Sequence, residues 1–163
     1  MAPSTLIPDK TASRLVLRTR TSGLLARFAH DLEIVATDLS LRASSEGDAW
    51  TAEVSIPIAA LRVAGVLKSG DALDTSVLSA SDQADIENRI RTEVLAGGPE
   101  VKVQASGTSR DRGEAVVSIG SRSGRFPVAQ SVGAREGGGA TVSGRCDISL
   151  RGLGIEEVKG PLG

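Results

Sequence analysis

The stretch AWTAEVSIPI, residues 49–58, sets Trp50, Ala52, Val54, Ile56 and Ile58 at alternate positions, with Thr51, Glu53 and Ser55 between them. A period of two predicts a strand with one face buried and the other in water. The pattern continues in both directions. Toward the N-terminus, RLVLRTRT sets Leu15, Leu17 and Thr19 against Arg14, Arg18 and Arg20, and EIVATDLSLRA puts Val35, Leu39 and Leu41 on one side. LRVAGVL follows residue 60 with a weaker alternation. Toward the C-terminus, EVKVQASG aligns Val101, Val103 and Ala105 against Lys102, Gln104 and Ser106. EAVVSIGS and GRFPVAQ read as two shorter strands, with Pro127 sending the second to an edge or a bulge. ATVSGRCDISLR places Val142, Cys146, Ile148 and Leu150 on one face. Turn chemistry separates the runs at Ser45-Glu46-Gly47-Asp48, Arg110-Asp111-Arg112-Gly113 and Gly137-Gly138-Gly139.

One segment changes period. Ile86, Ile90 and Val94 recur at i, i+4 and i+8 with Leu95 beside them. Ser79 and Asp82 open this segment in the spacing of a capping box, and Gly97-Gly98-Pro99 closes it. The pattern predicts one amphipathic α-helix over about 80–96, packed on a sheet. The predicted fold is therefore mainly β: seven or eight antiparallel strands curled into a barrel or split into a sandwich, with the helix between the halves. The 163 residues suit a single domain over 1–163, with 1–12 a flexible N-terminal segment.

Composition removes several function classes. Apolar residues make up 40% of the chain but aromatic residues only 2%, namely Phe28, Trp50 and Phe126, so the core is aliphatic. Three rings do not make the stacking platform that binds single-stranded nucleic acid, and a net charge of −1 lacks the basic excess of a nucleic-acid module. A single cysteine, Cys146, excludes an internal disulfide, and a single histidine, His30, excludes the common Cys/His zinc sites. No run approaches the ~20 apolar residues of a membrane span. The opening MAPSTLIPDKTASR lacks the apolar centre of a secretory signal, so a cytoplasmic location is expected, or a periplasmic one for a form whose signal has been removed.

Catalytic motifs are sparse. There is no nucleophile elbow, no phosphate loop and no dinucleotide-binding glycine motif after a strand. His30 and Asp31 are the one dyad to weigh; neighbours on a strand point to opposite faces, so they converge only through a turn. His30 reads as a structural hydrogen-bonding residue, as a polar contact to a ligand, or as a general base oriented by Asp31 or Asp38. Asp71 and Asp74 read as turn caps, and Cys146 as a small buried side chain. Trp50 is either core or part of a ligand wall. The apolar LLARFAH, with Leu24, Leu25 and Phe28, is either a cap on the barrel end or the mouth of a cavity.

Four segments together resemble the YceI-like family. SGLLARFAHDLEI matches that family's apolar segment ending in histidine before its second strand, and AEVSIPIAALRV its strand closing in a short apolar turn. LSASDQADIENRIRTEVL followed by PEVKVQASG resembles its helix leading into a strand. VSGRCDISLRGLGIEEVKGPLG resembles its terminal region, with Leu153-Gly154-Ile155 where an aromatic-Gly-Ile is common. The resemblance covers about residues 13–163. It departs at the loose match of EAVVSIGSRSGRFPV, at the scarcity of cavity-lining aromatics, and at Gly163, about where the family continues into one more strand. The family implies a lipocalin-like antiparallel barrel that holds an isoprenoid chain without transforming it, with no cofactor beyond that lipid. By that resemblance His30 is the polar contact, Leu24, Leu25 and Phe28 stand at the mouth, and Trp50, Val54, Ile56 and Cys146 belong to the wall. An unclosed barrel leaves an edge for a second copy to pair with, so a homo-oligomer through a strand edge is expected. The competing expectations are a structural or interaction barrel filled by its own side chains, and an enzyme on an apolar substrate using His30.

Overall fold

The computed structural model describes residues 4–9, 11–20 and 30–155. Among these residues the protein is mainly β with one α-helix. In chain order the strands are β1 (Ser4–Leu6), β2 (Val16–Arg18), β3 (Asp31–Ala36), β4 (Ser40–Glu46), β5 (Ala49–Pro57), β6 (Leu61–Leu67) and β7 (Leu73–Asp74). After the helix α1 (Ala80–Arg89) come β8 (Glu100–Ser109), β9 (Arg112–Ile119), β10 (Arg122–Ala134) and β11 (Ala140–Cys146). They form two curled antiparallel sheets, of order β1-β4-β5-β8-β9-β10-β11 and β2-β3-β6-β7. Within 1–12, the segment expected to be flexible, β1 pairs Leu6 with Ala43 of β4.

The strand expected from AWTAEVSIPI is β5. Its even positions from Trp50 to Ile56 are buried or half-buried while Thr51 and Glu53 are exposed. Ile58 begins a single helical turn, residues 58–60, that carries the chain across to the second sheet as β6. The weak alternation of LRVAGVL has a cause: between β3 and β6 the register shifts so that Glu33 meets Gly65 and Ile34 meets Val63, leaving Ala64 as the extra residue of a bulge.

EIVATDLSLRA is two strands in two sheets, not one alternating run. Residues 37–39 turn the corner between β3 and β4, and a corner changes which parity faces inward. On β3 the core side is Leu32, Ile34 and Ala36 rather than Val35; after the corner Leu39 joins the same cluster. The C-terminal run is also shorter than its alternation suggests. β11 stops at Cys146, and Ile148 and Leu150 lie exposed. The chain instead makes one turn at Arg151–Leu153, stopped by Gly154 in the left-handed conformation, and sends Leu153 and Ile155 into the core.

The helix expected over 80–96 runs as α1 and then widens into a π-type turn, Ile90–Val94. Its capping box is present: Ser79 Oγ accepts from Asp82 N–H and Asp82 Oδ2 accepts from Ser79 N–H, both at 3.0 Å. Glu87 ties the helix to the second sheet by accepting the Val63 N–H at 3.1 Å.

Two apolar clusters join these parts. Ile58, Val117, Ile119, Phe126, Leu153 and Ile155 form one, against the far strands of the larger sheet. Ile34, Ile56, Leu61 and Val63 form the other, between the sheets and under Ile86 and Ile90 of the helix. Leu95 and Val101 pack against both. Pro127 sits inside the wide strand β10 without breaking its ladder. Arg135 N–H donates to Gly139 O (3.2 Å), so the bonded β10–β11 pairs are Gly133–Thr141, Ser131–Ser143 and Ala129–Arg145. Odd positions of β10 thus point their N–H toward β11, and Pro127 stands one place past Val128, where β11 has already ended at Cys146.

Candidate functional site

Antiparallel register lines up the inner-face residues of the larger sheet in rows across the strands. One row is Leu41, Val54, Val103 and Val117. The next is Ala43, Ala52, Ala105 and Ala115, ending at Phe126. The row after that begins Ser45, Trp50 and Gly107, and on β10 and β11 it continues with Val128 and Cys146. Four alanines side by side leave a low strip between the valines and the indole. Ala115 is buried, whereas Ala43, Ala52 and Ala105 are half-buried.

Trp50 bounds this strip. Its Nε1–H donates to Ser109 O at 2.8 Å, fixing the ring over the end of β8 and β9. The ring lies on bare backbone: a Cβ at Gly107 would fall 2.6 Å from Trp50 Nε1, and one at Gly113 2.5 Å from Cζ2. A side chain at either glycine would collide with the indole and, closer still, with a backbone carbonyl, Arg112 O at 2.2 Å from a Cβ at Gly107 and Ser106 O at 2.3 Å from one at Gly113. Neither glycine was visible as a binding feature in the sequence, because the register that brings them under Trp50 passes through an irregular stretch between Ser106 and Ser109.

The sequence-derived wall residues divide between the clusters. Val54 and Ile56 join the cluster between the sheets, and Cys146 packs against the one around Phe126. Burial, with a smaller contribution from Asp147, raises the Cys146 thiol above its ordinary range, which keeps it protonated and unreactive at neutral pH. His30 is exposed just before β3 of the smaller sheet, and Trp50 lies at the hairpin end of β5 in the larger one. Leu24, Leu25 and Phe28 lie outside the described residues.

Asp31 Oδ2 lies 3.9 Å from Arg20, and Arg20 also pairs with Asp71. Asp74 caps its turn, accepting from Ser76 N–H at 2.9 Å, whereas the carboxylate of Asp71 is seen paired with Arg20. The arginines of β2 and its approach have a definite use. Arg14 and Arg18 flank the buried Glu33 at 3.8 and 3.6 Å, supplying the charge that a buried carboxylate needs. Among the described residues no three His, Cys, Asp or Glu side chains are grouped to hold a metal ion, and no helix is long and apolar enough to cross a membrane.

No protein-family model matches the chain, and neither a curated protein nor a solved structure resembles it significantly.

Proposed function

We propose that this chain holds an elongated apolar molecule of isoprenoid type, without transforming it, in a lipocalin-like barrel of the YceI-like kind whose halves are the two curled sheets. The observation that carries this reading is the alanine row on the inner face, walled by Val54 and Val103 on one side and by Trp50 on the other. Small side chains there make room for a chain-like ligand, and aliphatic walls offer transfer energy of about 25 cal/mol per Å² of apolar surface covered. On this reading His30, with Leu24, Leu25 and Phe28, contacts the head group at the mouth.

Native mass spectrometry of freshly purified protein and a titration of Trp50 emission with a polyisoprenoid test it. A co-purified apolar mass and a saturable change in emission are expected. Absence of both replaces the reading with that of an interaction barrel filled by its own side chains. That rival has its own support: Leu95 and Val101 each touch both apolar clusters, so the chain's own side chains run continuously between the sheets. An enzyme reading would rest on the exposed His30, with Asp31 Oδ2 3.9 Å from Arg20.

A further inference from the structure

Among the described residues each sheet has two outer strands, and three of the four are very short. β1 and β2 have three residues each and β7 has two, which limits what can pair with them. β11 is different: seven residues, a single charge within the strand at Arg145, and no proline. Because Thr141, Ser143 and Arg145 bond to β10, the N–H and C=O groups of Ala140, Val142, Gly144 and Cys146 point away from the sheet. The β10–β11 ribbon also runs past its neighbour. β10 pairs with β9 only as far as Ala129, and beyond it the directly opposed Val132 and Val142 are 47% and 52% exposed.

We propose that β11 pairs edge to edge with β11 of a second copy of this chain, antiparallel and with a two-fold axis at Ser143. The choice of occupant follows from self-complementarity. With Ser143 opposite the partner's Ser143, Ala140 faces the partner's Cys146 and Val142 faces the partner's Gly144, so every outward-pointing backbone group of the strand meets a bonding counterpart. Arg145 then faces the partner's Thr141, and its own carboxylate neighbour Asp147, 3.0 Å away, neutralises it, so no like charges are opposed. Val142 has a glycine across from it and sits diagonal to the partner's Val142, which closes the exposed valine pairs of both ribbons into one strip. A shift by one residue would turn the valines to opposite faces and misalign the bonding groups. No other described edge is long enough for such a junction. It does not depend on the cargo reading.

Sedimentation equilibrium over a wide concentration range, with Val142→Pro and Ser143→Cys, tests it. Wild type is expected to dimerise reversibly. Proline at 142 removes an outward N–H but no β10–β11 bond, so V142P should keep the wild-type circular dichroism and weaken the dimer by about tenfold or more. Under mild oxidation S143C should cross-link to a dimer on a non-reducing gel, whereas Thr141→Cys, which faces the partner's Arg145, should not. A wild type that stays monomeric at all concentrations overturns the proposal, whether the edge is left bare or covered by another partner. A dimer that V142P leaves intact, or one that S143C fails to cross-link, overturns it as well.

Discussion

Phe126 and Val132 lie on the same strand and the same face, three alternations apart, yet Phe126 is 7% exposed and Val132 is 47%. The backbone treats them alike; what differs is what lies over them. Phe126 sits under Ile58, Leu153 and Ile155, where the C-terminal turn folds back across β10. Val132 lies beyond Ala129, where β9 has ended and only β11 remains beside it. Alternation selects the face of a side chain, and tertiary cover decides whether that face is dry.

Substitutions on β10 put the contrast at risk most directly. Phe126→Ala should lose about 3–5 kcal/mol of unfolding free energy in urea, through lost transfer energy and the cavity left behind. Val132→Ala, measured at concentrations where the protein is monomeric, should stay within about 0.5 kcal/mol of wild type. Comparable losses at the two positions would break the comparison. The alanine row sharpens it, since it runs away from the covered Phe126 across the inner face. Ala105→Leu should fold and yet lower polyisoprenoid affinity by about tenfold, because the added volume occupies the strip. A binding curve unchanged by A105L would place the ligand elsewhere.

Smaller effects belong to the helix and the turns. Ser79→Ala should cost about 1 kcal/mol by removing the side-chain half of the capping box, and Ser79→Gly should cost less. Hydrogen bonds from Ser76, Ser79 and Ser109 hold the carboxyls of Asp74, Asp82 and Asp111 below the ordinary carboxylate range. Their folded pKa values therefore lie below the unfolded ones. The stabilisation is complete above the unfolded pKa and is lost as pH falls through the folded one. These three groups should lower the urea midpoint only in acid, and Asp82→Asn should remove part of that drop.

Much of the scaffold was legible from local pattern. β5, β8 and β9 follow their alternation, and the capping box forms with the residues that announced it. The misread segments share a physical cause: an interruption that one-dimensional alternation cannot register. The corner at residues 37–39 exchanged Val35 for Ile34 as the buried apolar residue of β3. The end of β11 left Ile148 and Leu150 in water and gave their expected places to Leu153 and Ile155. For the candidate site, the residue types were legible but their neighbours were not. Ala52 and Ala105 are legible only as members of alternating faces and Ala43 and Ala115 not even as that, and the four become a row only through three strand registers. Trp50 was marked by its rarity, while the glycines under it were hidden by the irregular ladder beside them.

The order of strands in the larger sheet also bears on how the chain folds. β8 to β11 is a meander in which each strand pairs with the next through a short turn, so little chain entropy opposes its formation. Joining β5 to β8 is different: it closes a loop that contains β6, β7 and the helix, and it must bring Trp50 to Gly107 and Ile56 to Val101. The meander is thus the expected nucleus, and the β5–β8 seam the late event. In pulse-labelled hydrogen exchange the amides linking β9 to β10 should gain protection before those linking β5 to β8, and substitutions at Val117 should slow refolding more than equally destabilising ones at Val54.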